Sequence, residues 1–399
     1  MKYLLIALPG AADSPAEEFG GKTPFEVAKI PHLNFFAKMG KVGQAKLAAE
    51  RLEPSADTAL LNLLGYEADK VYTGRGPLEA ANLELKLEDN EIAFRMNFIT
   101  EANGILADPT AGKITTREAK ALINFLNKKV ANEFIRFFAG AECRHVTVIK
   151  DAHGFEALSA KTNSPDTIVG ERLEAYWPKG PGEELLKKLM CDTKLLLQDH
   201  EINQVRVDLK ENPANMIWLW GQGRPPRLEK FSERFGLTGA LLAEAEYAKG
   251  IGRIAGLSVF ETNGALESEQ TKYEKIGKMI SSSMAEKDFV GLYLDECDEA
   301  SRKGDCKAKV SFLEAVDFFI LSKVKDYMES YKDVRILITP CYSFPWKTKK
   351  QTRDFVPFVV AGKNIMPDDI ERFSETASKA SSLKMNKGAE LLKFFISKS

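Results

Sequence analysis

Acidic side chains and one arginine are concentrated in residues 295–305, directly after an apolar run. Asp295, Asp298 and Glu299 offer carboxylate oxygens, the ligands that magnesium and manganese prefer. Arg302 carries a guanidinium group, which can bind a phosphate or a carboxylate through two hydrogen bonds. Two interpretations are therefore open: a ligand site, or a solvated loop in which Arg302 faces the neighbouring acidic side chains.

A second candidate group surrounds Arg75 in the run YTGRGPLEA. Arg75 could clamp a phosphate or a carboxylate, but Gly74 and Gly76 are equally explained by the backbone geometry of a turn. Both interpretations stay open. Arg95 and Asn97 lie on an apparent strand, and because the run around Arg95 is apolar, a functional or domain-bridging role is favoured there.

Cysteine and histidine residues do not form a recognised metal motif. The five cysteines are scattered and indicate free thiols in a reducing cytoplasm, although three of them could form a soft metal or redox site if their loops meet: Cys297, Cys306 and Cys341. The histidines are expected in structural positions, namely at a helix start, at a strand edge and in two exposed loops: His32, His145, His153 and His200.

Apolar runs that end in turn residues predict strands buried on both faces of a mostly parallel sheet. They occupy residues 3–8, 146–149, 289–294, 335–339 and 355–360. Helical patterns separate several of them, including residues 309–327, whose apolar side chains fall on one face. The alternation predicts an α/β, doubly wound fold, in which functional groups lie just after the strands, here at residues 9–13, 295–305 and 340–345.

Length and composition limit the classes of function. A chain of 399 residues is long enough for two domains, and the shift to helical and Pro- and Gly-rich segments predicts an inserted cap domain at 113–230 between core segments 1–112 and 231–399. Lys and Arg number 56 against 57 for Asp and Glu, so we expect neither a nucleic-acid nor a membrane partner. Asn263 and Gly264 are expected to form a turn.

Several sequence blocks occur together in the order found in one known family. They are GKTPFEVA at 21–28 with PHLN at 31–34, DTA at 57–59, YTGRGPLEA at 72–80, AFRMNFIT at 93–100, Asn203 with Arg206, TKYEK at 271–275 and DEA at 298–300. With these blocks the chain resembles the archaeal-type, cofactor-independent phosphoglycerate mutases. The resemblance extends over almost the whole sequence, and the block around Arg75 is its most specific part.

The resemblance implies an alkaline phosphatase-like α/β core with an inserted α+β cap domain. It also implies a serine that carries a phosphoryl group between two hydroxyls of glycerate, with two divalent metals, manganese or zinc, holding the participants. The positions expected to bind substrate are Asp57, Arg75, Arg95, Asn97, Arg206, Lys275 and Arg302.

The chain departs from the family pattern where the chemistry would take place. Alignment places Ala56 at the nucleophilic serine, and an alanine methyl cannot attack phosphorus. Asp298 is the single metal ligand that remains. At the other ligand positions, which the family fills with Asp or His, the chain has Pro9, Arg302, Cys341, Tyr342 and Gln351.

From these departures we expect a cytoplasmic protein that keeps the fold without mutase turnover and without a cofactor. It would bind a small phosphorylated metabolite or a protein partner, and it could form an oligomer. The alternative is an active enzyme, either a mutase that converts 3-phosphoglycerate to 2-phosphoglycerate or a homoserine kinase-like relative.

Overall fold

The structure, a computed structural model, describes residues 1–151, 154–262 and 268–397. The chain forms two compact units. Unit 1 consists of Met1–Tyr72 and Leu228–Ser399, and unit 2 is the intervening segment Thr73–Arg227. Two sequence predictions, an exposed loop at His153 and a turn at Asn263 and Gly264, lie outside the described residues.

Strands and helices alternate along unit 1 and are more segregated in unit 2. The strands are β1 Lys2–Ala7, β2 Gly40–Ala45, β3 Glu91–Ala102, β4 Ile105–Asp108, β5 Ile135–Phe138, β6 Arg144–Lys150, β7 Met216–Gly223, β8 Gly239–Ala243, β9 Ser258–Glu261, β10 Phe289–Tyr293, β11 Val334–Thr339, β12 Val356–Gly362 and β13 Lys384–Met385. The helices are α1 Pro24–Val27, α2 Pro31–Lys38, α3 Ala56–Leu63, α4 Ala68–Val71, α5 Arg75–Asn82, α6 Thr116–Lys129, α7 Glu183–Leu197, α8 Glu201–Asp208, α9 Phe231–Phe235, α10 Glu246–Ile254, α11 Glu269–Glu286, α12 Glu296–Lys303, α13 Cys306–Ala315, α14 Ser322–Ser330, α15 Glu375–Lys379 and α16 Gly388–Ile396.

Unit 1 is built on an eight-stranded sheet with the order β13-β2-β12-β11-β1-β10-β8-β9. Its centre is parallel, because β1 pairs in parallel with both β10 and β11, and β8 joins β10 and β9 in the same sense. Only β12 runs against its neighbours β11 and β2. The predicted strands at 3–8, 289–294, 335–339 and 355–360 are all confirmed in this sheet.

Apolar side chains on both faces of β1 explain why helices cover both sides of the sheet. Leu4 and Ile6 belong to a buried cluster that includes residues of α2, α11 and α13, whereas Tyr3 packs edge-on against Phe395 of α16. A strand buried on both faces reads as a continuous apolar run. The α/β class with a mostly parallel, doubly wound sheet is therefore confirmed.

The predicted helix at 309–327 is present but is not uniform. It is formed by α13, a π-helical segment Val316–Leu321 and α14. On the predicted apolar face Val316 and Ile320 are buried, whereas Phe318, which lies between them in sequence, is exposed.

Unit 2 has α+β architecture. Strand β3 pairs with β4 through its last residues and with β6 and β7 over most of its length, and β5 pairs with β6, with every pairing antiparallel. The apolar run at 146–149 therefore lies in this antiparallel sheet as part of β6, and its assignment to the parallel sheet was wrong. Burial of both faces produces the same apolar run in either kind of sheet.

The second unit begins at Thr73, whereas the sequence analysis placed the boundary at residue 113. The difference arises because β3 is the central strand of the unit 2 sheet and α5 packs against β3 and β7. Within the described ranges, the helices lack the combination of length and apolar character that a membrane span requires.

Candidate functional site

The carboxyl ends of β1, β10 and β11 bring three loops of unit 1 together. After β1, Gly10 adopts a φ of +72°, and a Cβ placed there would lie 2.9 Å from the Cα of Asp298. The loop after β1 therefore lies directly against α12, which follows β10. This is the edge at which α/β sheets position functional groups.

The carboxylate of Asp298 is the meeting point of this edge. Its Oδ1 accepts hydrogen bonds from the hydroxyl of Tyr342 at 2.6 Å and from Nε2 of Gln351 at 3.1 Å. Its Oδ2 accepts a hydrogen bond from Nε of Arg302 at 2.6 Å. We call these four residues the Asp298 cluster. Arg302 lies one helical turn after Asp298 in α12, so this segment is a helix and not a loop, while the expected pairing of Arg302 with a neighbouring acidic side chain is present.

Other charges surround the Asp298 cluster. Burial, followed by the charges of Glu296 and Asp298, raises the pKa of Asp295 to about 7. Nζ of Lys272 donates to carboxylate oxygens of Glu296 and Glu244, each at 3.0 Å. Although burial opposes it, the charge of Glu296 and then the contact with Glu244 raise the pKa of Lys272. The edge is thus acidic, with Lys272 and Arg302 as cations that balance its charge.

Ala56 begins α3 and has no side-chain oxygen. The hydroxyls of its neighbours Ser55 and Thr58 lie 2.9 Å from each other, and Thr58 Oγ1 donates to the Ser55 carbonyl at 3.0 Å. Asp57 is buried, and its carboxylate accepts hydrogen bonds from the hydroxyl of Tyr72 at 2.9 Å and from the backbone N–H of Thr58 at 3.0 Å. The hydroxyls beside position 56 are therefore engaged with each other and with the local backbone.

The residues present do not fit a pair of divalent metals. Such a pair needs carboxylate and imidazole donors from several loops. Asp298 instead faces a guanidinium, a phenol and an amide, all of which donate hydrogen bonds to it. Among the described residues, no group of three or more His, Cys, Asp or Glu side chains could hold a metal ion.

A second buried network lies in unit 1 and was not anticipated from the sequence. Nζ of Lys309 donates to Asp13 Oδ2 at 2.5 Å and to the carbonyl of Phe344 at 3.0 Å. Glu375 accepts hydrogen bonds from Thr23 Oγ1 at 2.6 Å and from the backbone N–H of Asp13 at 2.9 Å. Burial raises the pKa of Glu375 to about 7, while the hydrogen bond from Thr23 acts in the opposite direction.

One part of this network had a sequence signal. Lys309 lies three residues before Phe312 and seven before Val316, so it falls on the apolar face of the predicted helix. A lysine in that position needs a buried partner. Its partner Asp13 could not have been identified, because that contact joins residues 296 positions apart.

In unit 2, Arg95 is held by protein groups. It forms an ion pair with Glu79, its Nε donates to Asn97 Oδ1 at 3.1 Å, and its guanidinium carbon lies 5.6 Å from the ring centroid of Trp220. Asn97 Oδ1 also accepts a hydrogen bond from Nε1 of Trp220 at 3.0 Å. The apolar run around Arg95 thus contains a paired, buried charge, and substrate binding by Arg95 and Asn97 stays a prediction.

Arg206 is similarly engaged within unit 2. Its guanidinium donates to Glu118 at 2.9 Å and to the carbonyls of Asn212, Ala111 and Gly112, each at 3.0 Å. It therefore joins α8 to the start of α6 and to the neighbouring loops. A binding role for this residue stays a prediction.

The glycines beside Arg75 are explained by close backbone approach. A Cβ at Gly74 would lie 2.2 Å from the carbonyl oxygen of Gln222, and a Cβ at Gly76 would lie 2.2 Å from that of Ala93. The turn interpretation thus has a physical basis, and the role of Arg75 as a clamp stays a prediction. Lys275 is exposed on α11, the helix on which Lys272 reaches the acidic edge.

Cysteines and histidines have structural positions. Cys297 and Cys341 are buried free thiols, and burial raises the pKa of both. His145, expected at a strand edge, is the second residue of β6, and its side chain is buried. Burial, followed by the charge of Arg95, lowers the pKa of His145 to about 3. His32 lies in the first turn of α2, as expected for a helix-start residue, and contacts Asp317.

Sequence comparison reveals relatives along almost the full chain. The profile of the family described as 2,3-bisphosphoglycerate-independent phosphoglycerate mutase matches residues 37–203. The chain is 35% identical to 2,3-bisphosphoglycerate-independent phosphoglycerate mutase 2 of Methanothermobacter thermautotrophicus, over 96% of this chain and 94% of the relative. It is 34% identical to the phosphoglycerate mutase of Methanosarcina mazei that is named in the same way, over 99% and 100% of the two chains.

Solved structures share the fold. A protein from Pyrococcus horikoshii matches with a TM-score of 0.78 and 25% identity, over 99% of this chain and 96% of that chain. The cofactor-independent phosphoglycerate mutase of Thermoplasma acidophilum matches with a TM-score of 0.64 and 24% identity, over 99% of both chains. The similarity therefore covers both units.

Proposed function

The chain belongs to the family of 2,3-bisphosphoglycerate-independent phosphoglycerate mutases, and from that premise we propose that it binds a small phosphorylated metabolite without interconverting phosphoglycerates by a serine and two metals. The single observation that carries this proposal is the state of Asp298. This carboxylate accepts hydrogen bonds from three protein groups, Arg302, Tyr342 and Gln351.

The position of the nucleophile supports the same conclusion. A covalent phosphoryl intermediate requires an oxygen nucleophile that is activated and in line with the leaving group. Position 56 provides a methyl group at the start of α3, and the hydroxyls of Ser55 and Thr58 contact each other. Position 56 therefore supplies neither the oxygen nucleophile nor the activation that a covalent phosphoserine intermediate requires.

Charge and exposure at the end of α12 support binding of an anion. The Arg302 side chain is 46% exposed, so a ligand in solution can reach the guanidinium that contacts Asp298. Lys349 lies beside Gly304, the residue that follows α12, since a Cβ at Gly304 would be 3.3 Å from its Nζ. A phosphate group is the small dianion that two such cations would attract.

A second candidate is mutase turnover, the conversion of 3-phosphoglycerate to 2-phosphoglycerate. Relatives that match nearly the whole chain carry that name, and this similarity favours turnover over simple binding. Catalysis would then need a displaced nucleophile and a metal that displaces donors from Asp298. A homoserine kinase-like activity would face the same two requirements.

The discriminating experiment measures turnover and binding separately. Formation of 2-phosphoglycerate from 3-phosphoglycerate is followed with and without Mn²⁺, and the melting temperature is measured with each phosphoglycerate in EDTA. We expect no turnover and a rise in melting temperature with at least one of the ligands, because a ligand that binds only the folded state stabilises it. Arg302→Gln should reduce that rise, and Lys303→Gln on the exposed side of α12 is the matched control.

The outcomes separate the two candidates. Turnover by the unmodified protein that disappears in Asp298→Ala would establish the mutase. Absence of any shift with 3-phosphoglycerate, 2-phosphoglycerate or inorganic phosphate would refute metabolite binding.

A further inference from the structure

We propose that the Asp298 cluster replaces a bound metal as the cross-link of the sheet edge, so that this edge is assembled by side chains alone and does not take up a divalent cation. The inference concerns how the loops are held together and goes beyond the proposed ligand. It would stand even if no phosphorylated metabolite bound to this protein.

The first step is the origin of the four side chains. Asp298 and Arg302 belong to α12 after β10, Tyr342 lies in the loop after β11, and Gln351 lies in the same loop shortly before β12. Both Tyr342 and Gln351 donate to one oxygen, Oδ1 of Asp298. The carboxylate therefore ties the long loop between β11 and β12 to α12 at two separate points, as a shared metal ion would.

The second step is the charge balance. Asp298 is 8% exposed, and a carboxylate at that depth needs a compensating charge or several hydrogen bonds. Arg302 supplies a permanent positive charge at 2.6 Å, and two neutral donors bind the other oxygen. A carboxylate has about four lone-pair positions, and three of them are engaged here.

The third step concerns an arriving cation. A divalent ion at Asp298 would meet the guanidinium of Arg302 as a like charge and would have to displace protons that already point at the carboxylate. The hydroxyl of Tyr342 already donates a hydrogen bond to Oδ1 of Asp298 at 2.6 Å. The three groups that contact the Asp298 carboxylate, namely Arg302, Tyr342 and Gln351, thus offer an incoming metal no anionic oxygen.

The neighbouring network around Lys309 has the same arrangement, in which a side-chain cation binds a buried carboxylate. Lys309 is fully buried, and its ammonium group binds the carboxylate of Asp13 and the carbonyl of Phe344. The backbone N–H of Trp346 also donates to Asp13, at 3.3 Å. The loop after β11 is therefore fixed by a second side-chain cation only two residues beyond Tyr342.

The test compares two ion pairs on one helix, one with a buried carboxylate and one with both side chains exposed. Glu299 and Lys303 form an ion pair in α12 with the same spacing as Asp298 and Arg302, but both side chains are about two-thirds exposed. The melting temperature of the full chain is measured for the unmodified protein, Asp298→Asn, Tyr342→Phe and Glu299→Gln. Each is measured in EDTA and in Mn²⁺, and bound manganese is determined after equilibrium dialysis.

We expect the unmodified protein to bind no manganese. Its melting temperatures in EDTA and in Mn²⁺ should differ by less than about 1 °C. Asp298→Asn and Tyr342→Phe should each lower the melting temperature by several degrees, whereas Glu299→Gln should not. If Asp298→Asn does not fold, Tyr342→Phe, which removes one hydroxyl, provides the comparison.

Two results would overturn the inference. One is stoichiometric manganese with a lower melting temperature in EDTA. The other is a Tyr342→Phe protein that melts at the same temperature as Glu299→Gln. A missing response to phosphoglycerates would count against the proposed ligand alone and would leave this inference intact.

Discussion

Nζ of Lys309 lies 2.5 Å from Oδ2 of Asp13, and neither side chain is more than 2% exposed. This ion pair joins α13 to the loop after β1 across 296 positions of sequence. Removing one partner of a buried pair leaves an uncompensated charge, which is much more costly than losing an exposed pair. The pair therefore makes a direct prediction about stability.

Lys309→Met is expected to lower the free energy of unfolding by about 3–5 kcal/mol, because the buried carboxyl group of Asp13 would lose the ammonium group that compensates it. Lys303→Met, in an exposed pair on α12, should change it by less than about 0.5 kcal/mol. Urea denaturation of both variants measures the difference. Equal losses of unfolding free energy in the two variants would mean that the buried pair contributes no more to stability than the exposed pair.

Glu375 is expected to make stability depend on pH. Its pKa is raised to about 7 in the folded protein by burial, so the folded state binds the proton more tightly than the unfolded state does. The stabilisation is complete below the unfolded pKa of about 4.5 and is lost as the pH rises to 7, by an amount on the order of 3 kcal/mol. The variant Glu375→Gln has no carboxyl group at this position and therefore does not titrate there.

The measurement is the free energy of unfolding of the unmodified protein minus that of Glu375→Gln. It should fall between pH 4.5 and 7 and then become constant. The subtraction removes groups common to both proteins, including Asp295, whose pKa is also raised to about 7. A difference that does not change with pH would contradict the prediction.

His145 is expected to make unit 2 sensitive to acid. Its pKa is lowered to about 3, first by burial and then by the charge of Arg95, so the folded state resists its protonation. The stability that this adds is present above the unfolded pKa of about 6.5 and is lost as the pH falls towards 3. His145→Asn keeps an acceptor for the backbone N–H of Gly140 but has no titrating ring.

Tryptophan fluorescence can follow this transition, because three of the four tryptophans lie in unit 2: Trp177, Trp218 and Trp220. We expect the stability of His145→Asn to fall less steeply between pH 6 and 4 than that of the unmodified protein. Parallel curves of stability against pH for the two proteins would show that His145 does not contribute to the acid sensitivity.

Gly76→Ala is expected to destabilise unit 2 by roughly 3 kcal/mol or more, because its Cβ would lie 2.2 Å from the carbonyl oxygen of Ala93 and the helix would have to shift. Gly104 is the control: it has a φ of +80°, but no atom lies within 4 Å of the place that a Cβ would occupy, so Gly104→Ala should cost only about 1 kcal/mol. Thermal unfolding of both variants tests whether Gly76→Ala is more destabilising than Gly104→Ala.

Restoring the donors that the family pattern implies should create a metal site. The variant P9D/R302H/C341D/Y342H/Q351H offers carboxylates and imidazoles where the protein has a proline, a guanidinium, a thiol, a phenol and an amide. We expect it to retain manganese in equilibrium dialysis and to melt at a higher temperature with Mn²⁺ than with EDTA. If it folds and still binds no manganese, the identity of these side chains does not control metal binding.

Much of this protein could be predicted from local sequence. The apolar runs at 3–8, 289–294 and 335–339 identified three parallel strands, because a strand buried on both faces must be apolar throughout. Alanine at position 56 and arginine at position 302 were equally visible, because the type of a side chain limits its chemistry wherever the chain places it. The family followed from blocks of residues in a fixed order.

Only the tertiary structure decided which side chains meet. Tyr342 and Gln351 reach Asp298 across 44 and 53 positions, and Lys309 reaches Asp13 across 296, because the strand order places β1 between β10 and β11. The run at 146–149 joined an antiparallel sheet in the other unit, since burial of both faces gives the same pattern in either sheet. Hydrophobic periodicity reports how deeply an element is buried, whereas its partners depend on the order in which the elements assemble.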